Sequence, residues 1–367
     1  MTEMTNAPFS RVHIVGTGLV GTSIGLALSH QGVRVTLEDS SPSSLALALD
    51  YGAGHQRGNS AEAPESDPEL VIVATPPDVV AKVVLEQLSA FPQAMVIDVA
   101  SVKEQIAVEV ASHLEDASRY VGTHPMAGRE RGGAVSARSD LFTARPWVIC
   151  ESDTVHSSLI EEFVTSLGGI AIQMNAHDHD EAVALVSHLP QVVASLAAAR
   201  LSGATESTLA LAGAGLRDVT RIAASDPGLW VQILAANAPA IVDQLRAVRE
   251  DMDTVIQALD ALEKPGSRKV IADALQAGVS GVSALPGKHG VSTSYASLVV
   301  VIDDTPGQLA RLLTQLGDWA VNLEDLRLEH SPGAQVGFVD LTLAHDVVSE
   351  VENKLVASGW RIAGENA

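Results

Sequence analysis

The sequence predicts an α/β protein in three parts: a domain built on an open parallel sheet, an all-helical domain, and a small C-terminal α+β domain of ferredoxin-like order. Three observations predict it. Strand and helix patterns alternate as far as Met174, helical patterns alone run from Asn175 to Leu262, and the end of the chain reads strand, helix, strand, strand, helix, strand. The expected boundaries are 1–175, 176–283, a linker over 284–295, and 296–367.

The first part is organised by Arg11 to Gly25, RVHIVGTGLVGTSIG. Val12, Ile14 and Val15 read as a buried strand, and Gly16, Gly18 and Gly21 give the G-x-G-x-x-G spacing that opens a dinucleotide-binding βαβ unit. The first glycine lets the chain turn sharply, the second lets backbone amides approach a pyrophosphate, and the third lets the helix lie close on the strand. Leu19 and Val20 open that helix between Gly18 and Gly21, so their end of it is a cofactor-binding candidate too. Val33, Val35 and Leu37 alternate as a second strand, and Asp39 lies 18 residues past Gly21. An acid there can accept both ribose hydroxyls and would repel a 2′-phosphate. Ser40, Ser41 and Pro42 supply no arginine to reverse that, so the expected cofactor is NAD in a Rossmann-type domain.

Charge and cysteine usage exclude other classes. Lys plus Arg total 23 against 45 Asp plus Glu, a formal charge of −22, which argues against nucleic acid and anionic membrane as partners. An anionic substrate would therefore need a local cationic pocket. Cys150 is the only cysteine, so no intrachain disulfide is possible, and its place at the end of an apolar strand suits a buried, inert thiol. No signal peptide is expected, nor a segment long and charge-free enough to span a bilayer, so the expected location is cytoplasmic.

After the second strand, Ser43 to Tyr51 reads as a short helix and Leu70 to Thr75 as a buried strand stopped by Pro76 and Pro77. Thr75 and Pro76 stand at the carboxyl end of a strand, where open α/β sheets bind ligands, and would wall the cofactor. Met95 to Val99 is the next strand, and Ser101 opens a helix with Glu104 three residues on. That S-x-x-E is a capping box, so Ser101 has a structural reading beside a catalytic one. In YVGTHPMAG, Tyr120 to Gly128, Pro125 holds His124 in extended backbone. A glycine- and arginine-rich stretch follows to Arg145. Trp147 to Cys150 and Ile170 to Met174 close the sheet around a helix from Ser157 to Leu167.

The helical part begins at Asn175, with acids in the first turn. Ala182 to Leu201 is apolar on so many faces that it reads as a subunit interface, and Pro190 should kink it beside His188. His177 and His179 read as helix-capping polar residues rather than metal ligands. Helices are expected over Thr205 to Leu211, Asp218 to Ala224, and a long run capped by Asp226 and Pro227. Arg217 and Arg221, four apart, would share one helix face and form the cationic site that the global charge demands. Ala284 to Ser294 is turn-rich. Beyond it the strands are Ser297 to Ile302, Val321 to Glu329 and Val336 to Leu343, the last two joined across Ser331-Pro332-Gly333, with a short closing strand at Arg361 and Ile362. The helices are Pro306 to Leu316 and Val347 to Ala357.

These motifs together resemble the prephenate and arogenate dehydrogenase family of tyrosine biosynthesis, over essentially the whole chain. GTGLVG at Gly16, VATPP at Val73, DVASVK at Asp98, GTHPMAG at Gly122, SHLPQ at Ser187 and GLRDVTRIAASDPGLW at Gly215 carry the match in order. DDTPGQLARLL at Asp303 and VNLEDL at Val321 resemble an ACT domain, a small amino-acid-binding module.

The resemblance implies oxidative decarboxylation of prephenate to 4-hydroxyphenylpyruvate, with hydride passing to NAD. Arogenate is the alternative substrate, giving tyrosine directly. It places His124 on the ring hydroxyl as base, with Ser101 bonding to both. Arg221 would hold a carboxylate with its planar fork, and Arg217 would support it where many relatives have lysine. His188 would line the side-chain end of the pocket, with Gln191 one turn on. Aromatisation drives the reaction, so no metal is required. The ACT resemblance implies tyrosine as effector at Asp303, Gly307 and Asn322, and a homodimer is expected. A nucleotide and amino-acid sensor without turnover would have no need of His124, Ser101 and Arg221 together. A β-hydroxyacid dehydrogenase would place a lysine on its helical domain, and Asn175 to Leu262 contains none.

Overall fold

In the computed structural model the described residues are 7–57, 66–113, 117–128, 132–150, 154–285, 295–330 and 335–363. The linker residues 286–294 and the Ser331-Pro332-Gly333 turn lie outside them. The chain divides into two compact units, Met1–Ala204 with Val219–Val248 and Thr205–Asp218 with Arg249–Ala367.

The first unit is built on β1 (Arg11–Val15), β2 (Arg34–Glu38), β3 (His55–Gln56), β4 (Leu70–Val73), β5 (Met95–Asp98), β6 (Tyr120–Pro125), β7 (Pro146–Cys150) and β8 (Ile170–Met174). They form one sheet in the order β3-β2-β1-β4-β5-β6-β7-β8. All neighbours pair in parallel except β6 and β7. Helices α1 (Leu19–His30), α2 (Pro42–Asp50), α3 (Val80–Ala90), α4 (Glu104–His113) and α5 (Thr154–Ser166) connect the strands. Leu70, Val71, Ile72 and Val73 are all buried, because helices cover both faces of a parallel sheet and leave no solvent side for polar alternation. The strand order reverses between β1 and β4, which opens a crevice at their carboxyl ends. Gly16 and Thr75 both stand there.

From Asn175 the chain is helical. Asn175 caps α6 (Ala176–Val183) by accepting from the Asp178 amide at 2.8 Å. A single π-helical turn, Ala184–His188, leads into α7 (Leu189–Ala199). The expected kink at Pro190 is thus a widened turn. Proline lacks an amide and crowds the carbonyl four residues back, and one extra residue in the turn relieves both conflicts.

The expectation that no segment could span a bilayer needs correction, since Ala176–Gly203 is long and apolar enough by length and composition. In this unit the same run places His179, Asp180 and His188 in buried positions, while Leu185, Val186 and Leu196 are exposed.

Two expected helices are also redrawn. The one over Asp218 to Ala224 is α9 (Ala214–Thr220) followed by a 3-10 turn, Arg221–Ala224, with the short α8 (Glu206–Leu209) before it. The long helix capped by Asp226 breaks at Asn237 into α10 (Pro227–Ala236) and α11 (Ala238–Asp260). Pro239 explains the break, because it lacks the amide a continuous helix would use and fits the first turn of a new one. α12 (Ser267–Ser283) follows.

The second unit contains a four-stranded antiparallel sheet of β9 (Tyr295–Asp303), β10 (Asp325–His330), β11 (Val336–Ala344) and β12 (Arg361–Ile362), in the order β10-β11-β9-β12. α13 (Gln308–Asp318) and α14 (His345–Ala357) complete it. Leu298, Val300 and Ile302 alternate along β9 and share one core with Val339, Leu341, Leu312 and Leu355. The strand expected from Val321 begins at Asp325.

Candidate active site

The glycine loop at the crevice needs its small residues. Gly16 has a φ of +101°, and a Cβ on it would lie 2.4 Å from the Ala74 carbonyl oxygen, while one on Gly21 would lie 2.0 Å from the Gly16 carbonyl oxygen. Gly18 has nothing within 4 Å and caps α1 without a side-chain bond, so the helix start at Leu19 and Val20 is open to an anion. Thr75 Oγ1 is buried with no hydrogen-bond partner among the described residues, and Pro76 beside it is exposed. An orphaned hydroxyl, an open glycine and a bare helix N-terminus together fit a dinucleotide.

Asp39 has a second role that its spacing did not suggest. Its Oδ2 accepts from the Thr17 amide at 2.6 Å and the Thr17 hydroxyl at 2.7 Å, and its Oδ1 accepts from the Ser41 amide at 2.7 Å. The acid expected at the ribose therefore also braces the glycine loop. Oδ1 keeps an acceptor direction to spare.

β6 carries His124, whose Nδ1 lies 2.9 Å from Nε2 of His179. His179 Nδ1 in turn lies 2.7 Å from Asp180 Oδ1. A carboxylate only accepts, so the His179 proton is on Nδ1. A neutral His179 then accepts at Nε2, His124 donates from Nδ1, and His124 Nε2 keeps its lone pair. Burial above all, with the nearby His179, Lys103 and His188, holds the His124 pKa well below the ordinary 6.5. The imidazole is thus neutral and acts as an acceptor.

Ser101 stands just before α4, and its capping box does not form. Asp180 Oδ2 takes the Glu104 amide at 2.9 Å and Oδ1 the Lys103 amide at 2.8 Å. A full negative charge at a helix N-terminus is a stronger cap than a hydroxyl. Glu104 pairs instead with the exposed His177 at 3.2 Å. The Ser101 hydroxyl has no hydrogen-bond partner among the described residues, and nothing joins it directly to His124.

Beneath His124 lies a buried ion pair. The Lys103 ammonium meets Asp98 and donates to the Thr123 carbonyl at 2.7 Å, and the Tyr120 hydroxyl donates to Asp98 Oδ2 at 2.7 Å. Burial and the Asp98 charge push the Tyr120 pKa well above 10.

The π-helical turn ends on His188, which is 1% exposed. Asn237, at the break between α10 and α11, donates from Nδ2 to the Asp180 carbonyl at 2.8 Å and sits 3.2 Å from His188 Nδ1. Trp230 meets the His188 ring edge-on at 6.0 Å. Burial lowers the His188 pKa to about 4, against a partial pull upward from Asp180. Gln191 is buried on α7 and donates to Ser195 at 3.4 Å.

The arginines are not arranged as expected. Arg217 is on α9 in a segment of the second unit, and Arg221 opens the 3-10 turn in the first, where that turn packs on α7. A shared helix face requires one continuous α-helix, and the helix ends at Thr220. In the second unit, Arg361 donates to Asp303 at 3.0 Å, Gly307 caps α13 with a φ of +92°, and Asn322 donates to Glu324 at 3.3 Å.

His179, Lys103, Asn237 and Trp230 are the site residues that sequence reasoning missed. No group of three or more metal-ligating side chains occurs among the described residues, and His177 gives its ring nitrogen to Glu104 rather than to a helix cap. His179 is no cap either, being fully buried behind His124.

Two family models match, the prephenate dehydrogenase nucleotide-binding domain over residues 24–173 and the prephenate dehydrogenase dimerization domain over 175–271. The "Probable prephenate dehydrogenase NovF" of Streptomyces niveus is 34% identical over 360 residues, covering 95% of this chain and 98% of its own. The chain belongs to the prephenate dehydrogenase family. It is accordingly an NAD-dependent oxidoreductase with a Rossmann-type domain and a helical dimerisation domain. Prephenate dehydrogenase from A. aeolicus, solved with hydroxyphenyl propionate and NAD+, shares the fold at a TM-score of 0.63 and 24% identity, covering 74% of this chain and 98% of its own. Synechocystis arogenate dehydrogenase aligns at a TM-score of 0.58 and 24% identity, covering 74% and 99%. The nucleotide-binding family model begins at residue 24, so the loop glycines lie just ahead of the matched span.

Proposed function

We propose that this chain oxidatively decarboxylates prephenate to 4-hydroxyphenylpyruvate, with His124 as the base. The observation that carries the reading is the Asp180–His179–His124 chain, which leaves a lone pair on His124 Nε2 in a buried setting. NAD, when bound, supplies the hydride acceptor. Gly16, Gly18, Leu19, Val20, Gly21, Asp39, Thr75 and Pro76 would hold it at the crevice.

The residues divide the remaining work. His124 Nε2 takes the ring-hydroxyl proton as the carbonyl forms, and charge developing on the imidazole is offset through His179 by Asp180. Ser101 offers its hydroxyl to the substrate's ring hydroxyl. Arg221 holds a carboxylate, and His188 and Gln191 line the side-chain end. As carbon dioxide leaves, its bonding pair passes through the ring to the new carbonyl oxygen, which takes the proton back from His124 and leaves the aromatic phenol.

The same chemistry serves arogenate, in which an amine replaces the keto group. The exposed Leu185, Val186 and Leu196 on the first helical run support a homodimer through that face. The element order of the C-terminal sheet supports an ACT-type module, and tyrosine is its proposed effector at Asp303, Gly307 and Asn322. The test is NADH formation with prephenate and with arogenate, each with NAD and NADP, with and without tyrosine. Turnover of prephenate with NAD, suppressed by tyrosine, is the expected result. Cofactor binding without turnover of either acid would leave a sensor.

A further inference from the structure

Two histidines face this site, and their partners set them in opposite senses. His124 is left an acceptor at Nε2 by the chain that ends on Asp180. For His188 the bonding runs the other way. The group that faces the Asp180 backbone carbonyl at 2.8 Å must be a donor, which fixes the Asn237 side chain with its NH₂ inward. The second proton of that same nitrogen points to His188 Nδ1 at 3.2 Å, so Nδ1 is the lone-pair nitrogen. A neutral ring with a bare Nδ1 carries its proton on Nε2.

We infer that Asn237 is a positioning residue that fixes His188 as a hydrogen-bond donor at Nε2, so that the site favours a keto oxygen over an ammonium group at the substrate's side chain. This deepens the function proposed above and rests on its placement of His188 at the side-chain end of the pocket. The geometry around the pair supports it. Asn237 is 4% exposed and His188 1%, so neither finds water as a substitute partner. The helix break between α10 and α11 puts Asn237 at its post, and the π-helical turn delivers His188 to meet it. The lowered pKa of His188 keeps the ring neutral, which a donor-only partner on Nδ1 also requires. A neutral N–H meets a carbonyl oxygen well, whereas an ammonium there would oppose donor to donor.

The test variant is Asn237→Asp, which keeps the shape, gives up the bond to the Asp180 carbonyl and puts an acceptor at His188 Nδ1 where the donor stands. The proton of His188 then moves to Nδ1, and Nε2 becomes an acceptor. Long-range proton–nitrogen NMR on protein labelled at histidine reads the tautomer directly, with the His188 signal assigned by its loss in His188→Gln. Steady-state kinetics with prephenate and arogenate are measured on the same samples.

The expected result is a protonated Nε2 in the unsubstituted enzyme and a protonated Nδ1 in Asn237→Asp. The ratio of kcat/KM for prephenate over arogenate should fall by at least about tenfold, mostly through KM for prephenate, with KM for NAD unchanged. A protonated Nδ1 in the unsubstituted enzyme would overturn the inference. So would a tautomer that switches while the ratio stays fixed. If the unsubstituted protein turns over neither acid, the function on which the inference rests fails, and the selectivity with it.

Discussion

His179 Nε2 lies 2.9 Å from His124 Nδ1, so the imidazole assigned as base is oriented by a second imidazole, with the carboxylate of Asp180 one step further back. The arrangement separates holding the base from holding the cofactor, since the glycine loop takes no part in it. His124→Asn should therefore keep NAD affinity and lower kcat by roughly 10²–10⁴-fold. His179→Gln should lower kcat by about tenfold or more with little change in KM, because Nε2 of His124 would no longer be reserved as the acceptor. Full activity in either variant, with NAD binding measured alongside, would remove the proposed base.

The acid limb of kcat/KM should have its midpoint below 6.5, since burial holds His124 neutral at pH values where free imidazole is charged. Stability follows the same sign. For His188, lowered to about 4, the unfolded chain binds more protons than the folded one between about pH 6.5 and pH 4. The contribution is intact above that window and is lost as pH falls through it. Denaturant midpoints across the range should decline toward acid, and a His188→Gln variant should flatten the decline.

Lys103 is 1% exposed and Asp98 is fully buried. Lys103→Met removes one member of a buried pair and strands the other, which should cost about 3–5 kcal/mol in denaturant unfolding. Lys103→Met combined with Asp98→Asn should recover a good part of that loss. A single variant as stable as the parent would mean that Asp98 finds another partner.

Arg221→Ala should raise KM for the acid substrate far more than KM for NAD, and Arg221→Lys should restore only part of it, because an ammonium lacks the planar fork. Equal effects on both constants would take Arg221 out of the substrate's contacts.

The fold was largely legible because its signals are local. The glycine spacing at Gly16, the unbroken LVIV of β4 and the alternation along β9 each declare their element within a few residues. The candidate site shows in the sequence only where one motif holds one residue, as at His124. What escaped depends on distant partners. Ser101 and Glu104 have the spacing of a capping box, yet Asp180, 76 residues beyond Glu104, takes the Glu104 amide. His179 sits two residues from His177 and looks like its twin, while one is fully buried and the other exposed. Asn237 lies within an apolar helical run, and only Pro239 hinted that the helix would stop there.

Asp180 bonds the start of α4 and His179 through its carboxylate, and Asn237 through its backbone carbonyl. Both imidazoles of the site thus hang from one residue of the helical part, and α4 of the nucleotide-binding part hangs from it too. A chimera joining the first 175 residues of one relative to the helical portion of another would inherit this seam as its compatibility requirement. Such hybrids should succeed or fail on whether the two parents agree at this joint, whatever their agreement elsewhere.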